Sequence, residues 1–128
     1  MCGITDIYIS FTVFKITLRT YHLQTQVYAR HKASDKLHSL LSEKFDRFLE
    51  TLIGANRGKR FSVGRSIDVV DINDRTIIKA MDQFKSWLVE DLPFCIESVL
   101  GKQSSDLLNI RDEILGDINR SIYLFTLM

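Results

Sequence analysis

Two cysteines, one proline and no histidine after His38 leave this chain of 128 residues short of the usual catalytic signatures. Cys2 and Cys95 lie far apart and form no Cys-x-x-Cys, which argues for free thiols in a reducing cytoplasm rather than a disulfide framework. A net charge of +1 supplies no field to gather nucleic acid or an anionic membrane. No apolar run reaches the roughly 20 residues that cross a bilayer. The apolar stretch from Ile4 to Ile16 is interrupted by Asp6 and Lys15, with no basic segment before it and no small-residue cleavage site after it. It therefore does not read as a signal peptide. Nucleotide-binding glycine loops, the GxSxG elbow and the HExxH zinc motif are all missing. Cys95 has no histidine near it in sequence, so a thiol catalyst has no visible base. Nothing repeats, and no segment is of low complexity.

What is present is helical periodicity. Length and composition fit one globular domain over residues 1–128. The first segment is rich in β-branched and aromatic residues, which by propensity favours a strand. Spacing overrules propensity. Ile4, Ile7, Phe11, Phe14, Leu18, Tyr21, Thr25 and Tyr28 recur at gaps of three and four, one face of a helix from about residue 4 to 29. A second helix is expected from His31 to Ile53, with Gly54 as its stop. Its apolar stripe is Leu37, Leu40, Leu41, Phe45, Phe48, Leu49 and Leu52, with a polar row from His31 to Glu50 beside it. Residues 54–73 read as a long connection in which Ile67, Val69 and Val70 are expected to pack down. Arg57, Lys59, Arg60 and Arg65 make a small basic cluster there, read as a solvated loop. A third helix opens at Asn73 or Asp74 and carries the stripe Ile77, Ile78, Met81, Phe84, Trp87 and Leu88, which puts Phe84 and Trp87 in the bundle core, until Pro93 ends or kinks it. Residues 94–100 form a short further turn. A last helix is capped by Ser104 or Ser105 and runs to near the C-terminus.

The connections are therefore short, long, short. A helix of about 22 residues spans about 33 Å, and about 20 extended residues can return over that distance. The pattern predicts an all-α four-helix bundle with one long crossover between the second and third helices, the ferritin-like topology.

Candidate chemistry gathers between Tyr21 and Glu50, which hold all three histidines: His22, His31 and His38. Asp46 and Glu50 close the stretch at i,i+4 spacing. Nitrogen and oxygen donors in this concentration can hold a first-row metal. The same residues can equally decorate a solvated helical hairpin. Two Glu-x-x-His motifs, the usual interior di-iron set, are excluded because no histidine follows His38. Asp112, Glu113 and Asp117 on the last helix have no histidine partners and read as solvated.

An aromatic or apolar residue before a histidine on the first helix, then His31, Asp46 and Glu50 as H-x14-D-x3-E, resembles the ferroxidase signature of Dps-type mini-ferritins. The segments YARHKA and LLNIRDE resemble those of small ferritin-like proteins of phages and large DNA viruses. The resemblance implies an iron site shared between subunits, with His22 and His31 from one and Asp46 and Glu50 from the other. It implies a homo-oligomer, at least a dimer, and Fe(II) as the ion. Leu23 stands where that family usually carries tryptophan, and the basic N-terminal tail that binds DNA in some members is missing. Two functional readings follow. One is an iron-binding oxidase. The other is a helical interaction or scaffold protein that keeps the fold without the metal.

Overall fold

In the computed structural model, which describes residues 2–127, the apolar stripes become the inner faces of helices. Helix α1 (Ile4–Gln24) buries Ile4, Ile7, Phe11, Phe14, Leu18 and Tyr21, the stripe read from spacing. Its β-branched residues are tolerated because burial outweighs a helix-propensity cost of a few tenths of a kcal/mol each. Helix α2 (Tyr28–Ala55) buries Leu37, Leu41, Phe45, Phe48 and Leu52 against it. The rings of Phe11 and Phe45 stack at 4.2 Å, and Phe48 meets Phe11 edge-on at 5.4 Å.

The hairpin turn comes earlier than spacing suggested. Helix α1 ends at Gln24 and α2 begins at Tyr28, so Thr25 and Tyr28 do not continue the first stripe. Tyr28 is largely exposed. Periodicity ran through the turn by coincidence, since apolar spacing does not register a change of chain direction. Helix α2 also runs past Gly54. It ends in a paired C-terminal lock, Arg57 N–H to the Gly54 carbonyl and Gly58 N–H to the Ile53 carbonyl. The left-handed residue of that lock is Arg57 at φ 61°, followed by Gly58 at φ 71°.

Residues 56–75 cross the length of the bundle and lead to α3 (Thr76–Ser86), a π turn (Trp87–Asp91) and α4 (Leu92–Leu100). Pro93 neither ends nor breaks this rod. The π turn lets Leu92 N–H bond the Trp87 carbonyl, and the Leu88 carbonyl, five residues before Pro93, accepts from Arg111 at 3.1 Å instead. Residues 94–100 are thus a continuation of helix, ended by Gly101 at φ 78°. Helix α5 (Ser105–Thr126) closes the fold.

Cross-bundle contacts set the directions. Residues 2, 14 and 21 on α1 or at its start meet 95, 84 and 74 respectively, so α1 runs antiparallel to α3–α4. Residues 44 and 47 meet 117 and 113, so α2 and α5 are antiparallel. With the α1–α2 hairpin, this makes α2 and α3 parallel. The four-helix, single-crossover arrangement expected from loop lengths is what the chain adopts, and no strand occurs among the described residues.

Four expectations are corrected. Cys2 and Cys95 are not free thiols: they form a disulfide with Cα atoms 5.0 Å apart, because antiparallel packing brings the start of α1 to α4. The cysteine spacing therefore no longer supports a reducing compartment. Val69 and Val70 do not pack down but stay exposed, and only Ile67 is half-buried. Glu113 and Asp117 are not merely solvated, since they pair with Arg47 and Lys44 and tie α5 to α2. Trp87 is half-buried at the bundle edge, stacked on Phe84 at 5.7 Å, while Phe84 itself is buried. No helix among the described residues is long and apolar enough to cross a membrane.

Candidate functional site

His22 and His31 come together at the α1–α2 turn. His22 lies in the last turn of α1, and His31 lies near the start of α2, where its N–H makes a first helical bond to the Val27 carbonyl. The two rings stack, with centroids 3.9 Å apart and planes 18° from parallel. Each ring also binds the other residue's backbone: His22 Nδ1 to the His31 carbonyl and His31 Nδ1 to the His22 carbonyl, both at 2.7 Å. A carbonyl only accepts, so each Nδ1 carries the proton. In the neutral ring that leaves Nε2 as the basic nitrogen, the form that ligates a metal. His22 is buried and His31 half-buried.

A buried hydroxyl supports the pair. Ser34 is fully buried, and its Oγ donates to the same His31 carbonyl at 3.1 Å. Sequence reasoning missed it. The available signal was its position, three residues before Leu37 and seven before Leu41, a polar side chain on the core stripe.

Beside the histidines, Arg30 clamps three elements. Its Nη1 donates to Tyr21 Oη and to the Asp74 carbonyl, and its Nη2 donates to the Phe125 carbonyl at 3.1 Å. The guanidinium also sits 5.0 Å from the Phe125 ring centroid. Asp74 accepts from Tyr21 Oη at 2.7 Å and from Thr25 Oγ1 at 2.8 Å. Those two hydrogen bonds, with the Arg30 charge, hold the Asp74 carboxyl below the usual carboxylate range. Burial pushes the Tyr21 phenol up, against the pull of Arg30. The start of α3 and the end of α5 are thereby tied to the hairpin.

The two carboxylates are elsewhere. Asp46 and Glu50 are exposed on the second half of α2, and neither forms an ion pair among the described residues. His31 and Glu50 are separated by about 28 Å along the helix at 1.5 Å per residue. Within one chain no three of the described His, Cys, Asp or Glu residues come close enough to hold a metal ion. The structure thus brings His22 and His31 together and keeps Asp46 and Glu50 apart from them. His38 lies half-buried between these groups. Burial, then the charges of Lys15 and Arg19, lower its pKa below the usual value, and Asp35 opposes them.

No curated protein and no solved structure matches the chain. One family model does, over residues 22–125, and by that match the chain belongs to DUF5856, a family of unknown function.

Proposed function

We propose that this protein is a ferritin-like iron-binding bundle that takes up Fe(II) between His22 and His31 of one copy and Asp46 and Glu50 of a second. The reciprocal Nδ1–carbonyl lock carries the reading. It presents two imidazoles, each oriented through its far nitrogen by a backbone oxygen, as metal-ligating histidines are. The single-crossover topology is the one ferritin-like bundles use. The donor set of two imidazoles and two carboxylates suits a first-row divalent ion. A two-fold axis perpendicular to α2 would bring the start of one copy to the end of the other and remove the 28 Å problem noted above.

In this reading Fe(II) is the substrate. Each ion gives one electron to dioxygen or a peroxide and leaves as Fe(III). The chain's part is to hold neutral imidazoles in place and to set two carboxylates where the charge of the product increases. Complementation between variants tests it. A His22→Ala, His31→Ala chain and an Asp46→Ala, Glu50→Ala chain should each fail to oxidise Fe(II). Co-refolded, they should regain part of the activity, because a hybrid two-fold carries one complete site. A mixture as inactive as its parents, beside an active wild type, would mean that the site is not shared.

The same lock also favours a second reading, a bundle without metal chemistry that serves as an interaction protein. Both Nδ1 groups staple the turn they sit on, a structural task that needs no ion. A wild type that neither binds nor oxidises Fe(II) would select this reading.

A further inference from the structure

The two sulfurs of the disulfide are reached unequally. Cys95 belongs to the buried core and is 2% exposed, whereas Cys2, just before α1, is half-buried. Two cavities open onto the bond. One, of about 550 Å³, is lined by both cysteines, with Asp6, Glu90 and Asp91 beside them. The other, of about 310 Å³, is lined by Cys2 without Cys95, with Lys59 and Arg60 on its wall. The cavities differ in charge. Glu90 and Asp91 on the first, and Lys59 and Arg60 on the second, are exposed and form no ion pair among the described residues.

Thiol–disulfide exchange chooses between them. A thiolate attacks one sulfur and enters opposite the sulfur that leaves. Attack on Cys95 requires a path into the core. Attack on Cys2 requires an approach from the side away from Cys95, and the cavity that Cys2 lines without Cys95 is the basic one. Its two cations draw in an anion and favour the thiolate form of a thiol.

We propose that Cys2 is a site of S-thiolation by a small anionic thiol, one that bears carboxylate groups, entering past Lys59 and Arg60. The incoming thiolate bonds to Cys2 Sγ, the Cys2–Cys95 bond breaks, and Cys95 Sγ leaves with the electron pair and takes a proton from water. A second thiolate then displaces the first from Cys2 as a small-molecule disulfide and leaves both cysteines reduced. The structural consequence is local. Gly3, next to Cys2, caps α1: its N–H donates to Asp6 Oδ2 at 2.7 Å, and its carbonyl accepts from the N–H groups of Asp6 and Ile7. The same turn anchors the crossover, through Thr5 Oγ1 to the Ser62 carbonyl and Arg65 to Asp6. Exchange frees this turn from α4 and leaves the histidine end untouched. The site does not depend on the metal reading.

Reduced glutathione is the probe. The oxidised protein is incubated with it, quenched in acid and mapped by mass. The adduct should lie on Cys2, with Cys95 as a free thiol. At low ionic strength Lys59→Glu, Arg60→Glu should slow adduct formation at least about fivefold, and Glu90→Gln, Asp91→Asn should leave it within about twofold. Cysteamine, a cationic thiol, should instead react faster with the Lys59→Glu, Arg60→Glu protein than with the wild type. Both variants should keep the wild-type unfolding midpoint, because all four side chains are exposed and unpaired among the described residues. Amides of Asp6 and Ile7 should exchange faster in the adduct than in the oxidised protein, and that of His31 should not change. An adduct on Cys95 overturns the proposal. So does a rate no more sensitive to the Lys59 and Arg60 pair than to the Glu90 and Asp91 pair, or a protein whose cysteines stay as two thiols without reductant.

Discussion

The two ends of the bundle face one structural problem and answer it differently. Each end has one short turn and two helix ends that the chain does not connect locally. At the histidine end the loose pair is the start of α3 and the end of α5, and Arg30 ties both to the hairpin through the Asp74 and Phe125 carbonyls. At the opposite end the loose pair is the start of α1 and the end of α2. There the start of α1 is bonded covalently to α4 through Cys2–Cys95. One end thus rests on a hydrogen-bonded cation that can be replaced or titrated around. The other rests on a bond that only reductant opens. The polar end is also where the two imidazoles are held, away from the covalent tie.

That contrast can be broken in order of expected size. Cys95→Ser should cost the most, about 4 kcal/mol for a closed loop of this length. Chemical unfolding with and without reductant checks it: the wild type should fall to the variant's midpoint on reduction, and the variant should not move. Arg30→Ala should cost about 2–3 kcal/mol, since three bonds to a charged donor and one cation–π contact go at once. Arg30→Lys should recover less than half of that, because an ammonium lacks the planar fork. The ends are far apart, so the two losses should add, and a double variant that departs from the sum by more than about 0.5 kcal/mol would show coupling through the core.

A smaller effect concerns pH. The folded pKa of His38 lies below the ordinary 6.5, chiefly through burial. The unfolded chain then binds the extra proton first as pH falls. The stability contributed by His38 is present above about pH 6.5 and is lost as pH drops through the folded pKa. Thermal midpoints between pH 7.5 and 5 should decline in the wild type, and the decline should be shallower in His38→Gln. The smallest effect is at the exit of α2. Arg57→Gly should stabilise by about 0.5–1 kcal/mol, because glycine takes the left-handed position without a Cβ penalty. A destabilised variant would mean that the Arg57 side chain contributes more than its backbone costs.

The helices and their inward faces could be read from spacing, because burial of Phe11, Phe14, Phe45 and Leu52 follows directly from the 3.6-residue period. The parallel course of α2 and α3 followed from loop length alone. Boundaries were less legible. Gly54 reads as a stop, yet the chain accepts the left-handed turn three residues later at Arg57. Pro93 reads as a break, yet a π turn and the guanidinium of Arg111 absorb it. Pro93 misleads because a distant group, the Arg111 guanidinium, takes up the Leu88 carbonyl, and Gly54 misleads because the left-handed residue that closes the helix comes after it.

The candidate site divides the same way. The sequence by itself determined that donors cluster around the first turn, that four helices form, and that one long connection must cross them. Those follow from residue type and period, which are local properties. Only the tertiary structure decided that His22 and His31 exchange carbonyl bonds, that Ser34 reinforces one of them, and that Cys2 meets Cys95. Each of these depends on the direction of a ring, a hydroxyl or a Cβ after helices pack, and such directions are set by neighbours up to 93 residues away in the chain.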